Sequence, residues 1–269
     1  MTVNGNNDAY NNVHMDPRYS RQINLPEIGQ AGQLVLAQKR VLAVGAGGLG
    51  SPLLFALAGA GIGHITIADQ DMVSESNLNR QFLYRSDDIG KPKANLAAER
   101  LLEYHPDLRI EAISESFNDI NGPELIASHD LVIAAVDNRR SRLLMNQLCC
   151  RYGRILIDGG VSGFSGYAAV IEPGITPCYH CLFGINENLP SKTSGVLGSV
   201  AGVIGSLEAT LAVMLLLGMG NPLAGEVLYF HAVKMTFERL KMERNPDCPH
   251  CADLWEKSKQ RNEEEESAK

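Results

Sequence analysis

The feature that most constrains this chain is the run Gly45-Ala46-Gly47-Gly48-Leu49-Gly50, placed directly between an apolar strand at 40–44 and a helical stretch reaching about Gly61. A strand that enters a helix through so tight a turn belongs in a parallel sheet covered by helices. Glycine at 45, 47, 48 and 50 lets the backbone approach a nucleotide, and the helix start offers free N–H groups to its phosphates. Asp69 closes the next strand about 20 residues later, where a carboxylate can hydrogen-bond ribose hydroxyls. Taken alone, these residues suit NAD as well as ATP.

The same rhythm continues. Strands are expected at 64–69, 109–113, 131–136 and 155–158, with helices at 92–104 and 138–152. Beyond 158 the pattern changes to strands at 168–171, 227–231 and 234–241, interrupted by one long apolar helix. The fold class expected is α/β: a Rossmann-like, mostly parallel sheet flanked by helices, extended by antiparallel strands in the C-terminal half, with a structural zinc. The organisation expected is a flexible segment at 1–15, a single domain at 16–255 (a nucleotide-binding half to about 160 and a C-terminal half from about 161), and a disordered acidic tail at 256–269.

Composition excludes some classes. The 269 residues carry 24 Lys+Arg against 31 Asp+Glu, a formal charge of -7, with no basic stripe to follow phosphates. Nucleic acid is therefore not an expected partner. The Asn-rich start lacks a basic stretch followed by an apolar run and does not read as a signal peptide. The stretch 199–220 has the length of a membrane span, but Glu208 near its middle favours a helix buried behind the sheet. A cytoplasmic protein with no membrane role is expected.

Two further groups sharpen the chemistry. Arg80, in Ser76-Asn77-Leu78-Asn79-Arg80-Gln81, and Lys93, in Gly90-Lys91-Pro92-Lys93, place cations just past Asp69. An enzyme that splits ATP between its α- and β-phosphates needs such charges, and Mg²⁺, against the departing pyrophosphate. Asp137 ends a parallel strand, where it suits Mg²⁺; capping the helix at Asn138 explains it equally well. Cys178-x-x-Cys181 and Cys248-x-x-Cys251 offer four thiolates, a tetrahedral Zn²⁺ set with no position left open for catalysis. His180 and His250, inside these loops, read as spectators. Cys149 and Cys150 read as buried structural cysteines.

In these motifs the chain resembles the MoeB/ThiF/HesA family of bacterial adenylyltransferases, relatives of the ubiquitin-activating enzymes. The resemblance runs from Arg18-Tyr19-Ser20-Arg21-Gln22 to Cys251 and includes Val136-Asp137-Asn138 and Gly195-Val196. It implies a homodimer that uses ATP and Mg²⁺ to adenylylate the C-terminal glycine of a small ubiquitin-like carrier protein ending in Gly-Gly. It implies ribose contact for Asp69, phosphate contacts for Asn77, Arg80, Gln81 and Lys93, and Mg²⁺ for Asp137. Arg21 would reach ATP in the neighbouring subunit; outside the resemblance it reads as a surface arginine. In sulfur-carrier activators a cysteine often precedes the Gly-Val; Ser191 stands there, so no covalent persulfide step is expected. Alternatives are a different protein or peptide substrate, a non-catalytic binding member of the fold, and an NAD-dependent oxidoreductase.

Overall fold

The computed structural model describes residues 16–184 and 195–267. Ser191 therefore lies outside the described residues, as does the segment 1–15. One sheet of eight strands organises the chain in the order β3-β2-β1-β4-β5-β6-β7-β8. These are β1 (Arg40–Val44), β2 (His64–Ala68), β3 (Arg109–Ile113), β4 (Leu131–Ala134), β5 (Ile155–Ser162), β6 (Ser165–Ile171), β7 (Glu226–His231) and β8 (Thr236–Lys241). The first five run parallel, and β6, β7 and β8 each join antiparallel. The order reverses between β1 and β4, so a crevice opens beyond their carboxyl ends, where open α/β sheets bind ligands.

Side-chain alternation explains how both faces are covered. On β1, Val41 and Ala43 enter one core while Leu42 and Val44 enter the other. Leu131 and Ile133 of β4 pair with the first set, Val132 and Ala134 with the second. A strand buried on both faces must be apolar throughout, as these are. The first core is closed by α2 (Gly29–Leu36), α3 (Gly50–Ala60), α4 (Lys93–Tyr104) and α8 (Gly198–Leu216); a short α1 (Ser20–Ile23) precedes them. The second is closed by α5 (Gly122–Ala127), α6 (Arg139–Tyr152) and α7 (Tyr179–Phe183).

Among the described residues α8 is the one helix long and apolar enough to cross a membrane. It packs instead against α3, β5 and β6, burying Val200, Ala201, Ile204 and Glu208. Two boundaries differ from the sequence expectation. Strand β5 runs on to Ser162 because Gly159 and Gly160, poor strand formers by composition, pair with Ala168 and Tyr167 of β6. The region read as a disordered tail from 256 lies within a helix, α9 (Ala252–Ser267). Its Glu, Lys, Gln and Arg residues are good helix formers, and Asp253 in the first turn complements the helix dipole.

Candidate functional site

The crevice at the reversal point is a cavity of about 540 Å³. Gly45, Gly47, Gly48, Asp69, Arg80, Gln81, Lys93 and Asp137 line it, so eight residues singled out by sequence meet in one place. Gly45 sits at φ +102°, and a Cβ there would stand 2.4 Å from the Ala135 carbonyl oxygen. A Cβ on Gly50 would stand 2.3 Å from the Gly45 carbonyl oxygen. Both positions are therefore closed to any side chain. The turn is also braced by its surroundings: Ala46 N–H donates to Asp69 Oδ2 at 2.7 Å, and the buried Tyr84 hydroxyl donates to the Ala46 carbonyl at 2.8 Å.

Asp69 Oδ1 accepts a second backbone bond from Asp71 at 2.8 Å. Burial raises the Asp69 carboxyl above its ordinary value, opposed by these two N–H groups and by Lys93. Lys93 is almost fully buried and its Nζ meets Asp71 Oδ2 at 3.0 Å. Asp71, exposed beside the cavity, thus holds the lysine on the phosphate side of the site. The Arg80 guanidinium is held by the Ser76 carbonyl at 2.8 Å and by Asn79 Oδ1 at 2.9 Å. Gln81 is buried with its amide nitrogen facing Gly47.

A second helix start reaches the same place. Gly198 of α8 packs on the backbone of Asn79 and Arg80, and Ala201 faces Gly48 across the cavity wall. Two helix N-termini, of α3 and α8, therefore stand beside one set of cations. Orphan N–H groups at such termini favour an anion.

Asp137 resolves the two readings left open by sequence. The cap of α6 is Asn138, whose Oδ1 accepts the Ser141 N–H at 2.8 Å. The Asp137 carboxylate has no protein partner among the described residues and is exposed to the cavity. A free hard-oxygen donor at this point fits Mg²⁺. Two residues fall elsewhere. Asn77 stands off the cavity wall because its Oδ1 accepts the Ser74 N–H at 3.1 Å; its carbonyl in turn accepts Arg80 N–H and Gln81 N–H, shaping the turn that presents them. Arg21 lies exposed on α1, away from this cavity.

Four further groups went unassigned in the sequence. Asp71 was visible in Asp69-Gln70-Asp71. Arg142, Asp158 and Tyr167 had no local signal, since they come together only through the pairing of β5 with β4 and β6. Arg142 pairs with Asp158 and spans to the carbonyls of Val136 and Gly159, the latter at 2.7 Å. The Tyr167 hydroxyl donates to Asp158 Oδ2 at 2.7 Å.

A separate cluster joins the chain's distant ends. The sulfurs of Cys178, Cys181, Cys248 and Cys251 lie within 4.8 Å of one another. Neighbouring pairs measure 3.9, 3.6 and 3.5 Å. A tetrahedron with metal–sulfur bonds of about 2.3 Å has edges of about 3.8 Å, so the donor set can hold zinc. His180 Nδ1 lies 3.4 Å from Cys248 Sγ and its ring packs edge-on against His250. Cys149 and Cys150 are buried, and burial pushes the Cys149 thiol well up, away from thiolate chemistry.

Comparison with known proteins converges on this site. Residues 19–250 match the model of the ThiF family. The chain is 40% identical over 240 residues to the SAMP-activating enzyme E1 of Haloferax volcanii, covering 88% of each protein. It is 40% identical over 245 residues to the sulfur carrier protein adenylyltransferase of Thermus thermophilus, covering 88% of this chain and 90% of that one. The sulfur carrier protein ThiS adenylyltransferase of Escherichia coli is 37% identical over 237 residues, 87% of this chain and 94% of that one. Among solved structures, E. coli MccB with ATP superposes at a TM-score of 0.76, covering 88% of this chain and 75% of that one. At 24% identity that likeness speaks for the fold. Fold, glycine turn and relatives define the class: an ATP-using adenylyltransferase. The chain belongs to the ThiF family.

Proposed function

We propose that this enzyme adenylylates the C-terminal glycine carboxylate of a small ubiquitin-like carrier protein ending in Gly-Gly and releases pyrophosphate. The observation that carries the reading is the Asp137 carboxylate, left free at the cavity because Asn138 caps α6. The carrier carboxylate attacks the α-phosphorus as the bond to pyrophosphate breaks, giving an acyl-adenylate. That nucleophile is already ionised near neutral pH, so no general base is needed. Asp69 suits the ribose hydroxyls. Arg80, Gln81 and Lys93, beside the start of α3, suit the phosphates, and charge stabilisation by these fixed groups supplies most of the rate. Asp137 would hold Mg²⁺, which neutralises charge on the departing pyrophosphate.

The names of the Thermus and E. coli relatives support a sulfur-carrier substrate, as does the E1 name of the Haloferax protein. Arg21 is proposed to act across a homodimer, consistent with its exposure on α1 and its distance from its own cavity wall. The four-thiol cluster is proposed to hold a structural zinc. A cytoplasmic setting fits a protein whose one membrane-length helix packs on its own sheet. With Cys149 and Cys150 buried and Ser191 in the loop, the enzyme stops at the acyl-adenylate and leaves sulfur transfer to another protein. Mass spectrometry after incubation with carrier and ATP tests this last step: a covalent enzyme–carrier adduct overturns it.

The main test is ATP–pyrophosphate exchange with a Gly-Gly-ending carrier. Asp137→Ala is expected to abolish exchange while leaving a folded protein. Near-normal exchange in that variant sinks the reading.

A further inference from the structure

The ladder between β4 and β5 ends at the pair Ala134 and Asp158, and the last main-chain bond on this side runs from Ala135 N–H to the Val44 carbonyl. Among the described residues no backbone bond from another strand reaches Val136 or Asp137. Asp137 therefore stands on a stretch that the sheet no longer holds. What holds it is a side chain. One terminal nitrogen of Arg142 donates to the Val136 carbonyl and to the Gly159 carbonyl, spanning the gap where β4 and β5 part. The other donates to Asp158, with the Tyr167 hydroxyl 3.4 Å away.

We propose that Arg142 is the positioning residue for Asp137, fixing where its carboxylate meets the metal–nucleotide complex; the inference rests on the metal reading of Asp137 given above. The physical reason is the peptide plane. The Val136 carbonyl and the Asp137 N–H belong to one rigid unit, so clamping the first sets the direction in which Asp137 leaves the sheet. A planar, always-charged fork with several donors suits this task where a single ammonium does not. Arg142 does not serve by touching phosphate itself: it is buried, and both terminal nitrogens are occupied by protein acceptors. Its own placement is anchored from β5 and β6, by Asp158 and by the Tyr167 hydroxyl that donates to Asp158. Tyr167 also lines the cavity, so this anchor lies within the wall of the site.

The test measures Mn²⁺ affinity by electron paramagnetic resonance in the presence of α,β-methylene ATP, alongside metal-free affinity for the same analogue. Arg142→Lys keeps a charge beside Asp158 but loses the fork. It is expected to weaken Mn²⁺ binding about tenfold, the scale for partners that orient a ligand, with metal-free nucleotide affinity unchanged. Added to Asp137→Ala, it should weaken Mn²⁺ no further. Tyr167→Phe, a milder change, should produce a smaller fall of the same kind and decides the matter if Arg142→Lys does not fold. Unaltered Mn²⁺ affinity in the folded variants, or an additive loss in the double variant, overturns the proposal. Unaltered affinity in Asp137→Ala alone overturns both this proposal and the metal reading beneath it.

Discussion

The two halves of the sheet solve different problems. Around β1, β2 and β4 the strands are parallel, and their carboxyl ends place the glycine turn, Asp69 and Asp137 around one cavity. Around β6, β7 and β8 the strands are antiparallel and hairpin-like, and β8 is exposed along its whole length. There the chain is fastened not by a covered sheet but by sulfurs 70 residues apart. The parallel half obtains its rigidity from apolar burial on both faces and its chemistry from strand ends. The antiparallel half obtains its closure from a polar clasp and contributes wall and support, through Tyr167 and Asp158, to a site whose phosphate-facing groups come from the other half.

This contrast makes the clasp the most sensitive point of the C-terminal half. Structural zinc contributes about 10–16 kcal/mol of apparent binding energy in small metal-folded units. Cys248→Ser is expected to lose the metal and to raise amide hydrogen exchange throughout α7 and the start of α9. Exchange in β1 and α3 should stay as it was. A uniform rise across the sheet would break the comparison, because it would make the clasp a keystone of both halves.

The nucleotide half has its own weak point, expected to cost less. Gly45→Ala meets two penalties together, a φ that side chains rarely adopt and a Cβ 2.4 Å from a backbone oxygen. Strain of this kind costs on the order of 1–3 kcal/mol before the overlap is relieved. Urea unfolding should show a loss at least that large, and affinity for ATP should fall with it. Full stability in the variant would mean that the turn relaxes freely and does not define the cavity.

The same division decides what could be read from sequence. Strands β1 and β3 begin and end where the apolar pattern puts them, since both of their boundaries are marked by local chemistry. Gly45, Asp69, Arg80 and Lys93 could be chosen for the same reason: each lies next to a strand end or a turn that positions it. Arg142 and Asp158 could not, because nothing near either names the other as its partner. Asn77 shows the opposite error. Its motif suggests a phosphate contact, whereas a local bond to Ser74 turns its oxygen into the brace of the turn. The helix at α9 was hidden by charge: an acidic run reads as a solvated end, although its residues favour helix once a start is fixed by Cys251 and Asp253.

The smallest expected effect lies where the two halves touch. Glu208 of α8 is fully buried, neither oxygen has a hydrogen-bond partner, and a Cβ on Gly159 of β5 would stand 2.5 Å from Oε1. Burial pushes its carboxyl well above the ordinary value of 4.5, Asp158 pushes it further, and Arg142 opposes both. In the folded protein Glu208 therefore keeps its proton at a pH where the unfolded chain has released one. The sign follows: this contribution to stability is whole below the unfolded pKa and is lost as pH rises toward the folded one. The slope is about 1.4 kcal/mol for each pH unit in that window. Glu208→Gln cannot ionise, so its stability should fall less than the parent's between about pH 5.5 and about pH 7, by that slope. Only the difference in slope is diagnostic, since a buried amide carries its own pH-independent cost. Urea midpoints at the two pH values measure it. Parallel pH profiles would mean that Glu208 is ionised in the folded protein, with Arg142 shared between two carboxylates, and the clamp on Asp137 would then be weaker than its geometry indicates.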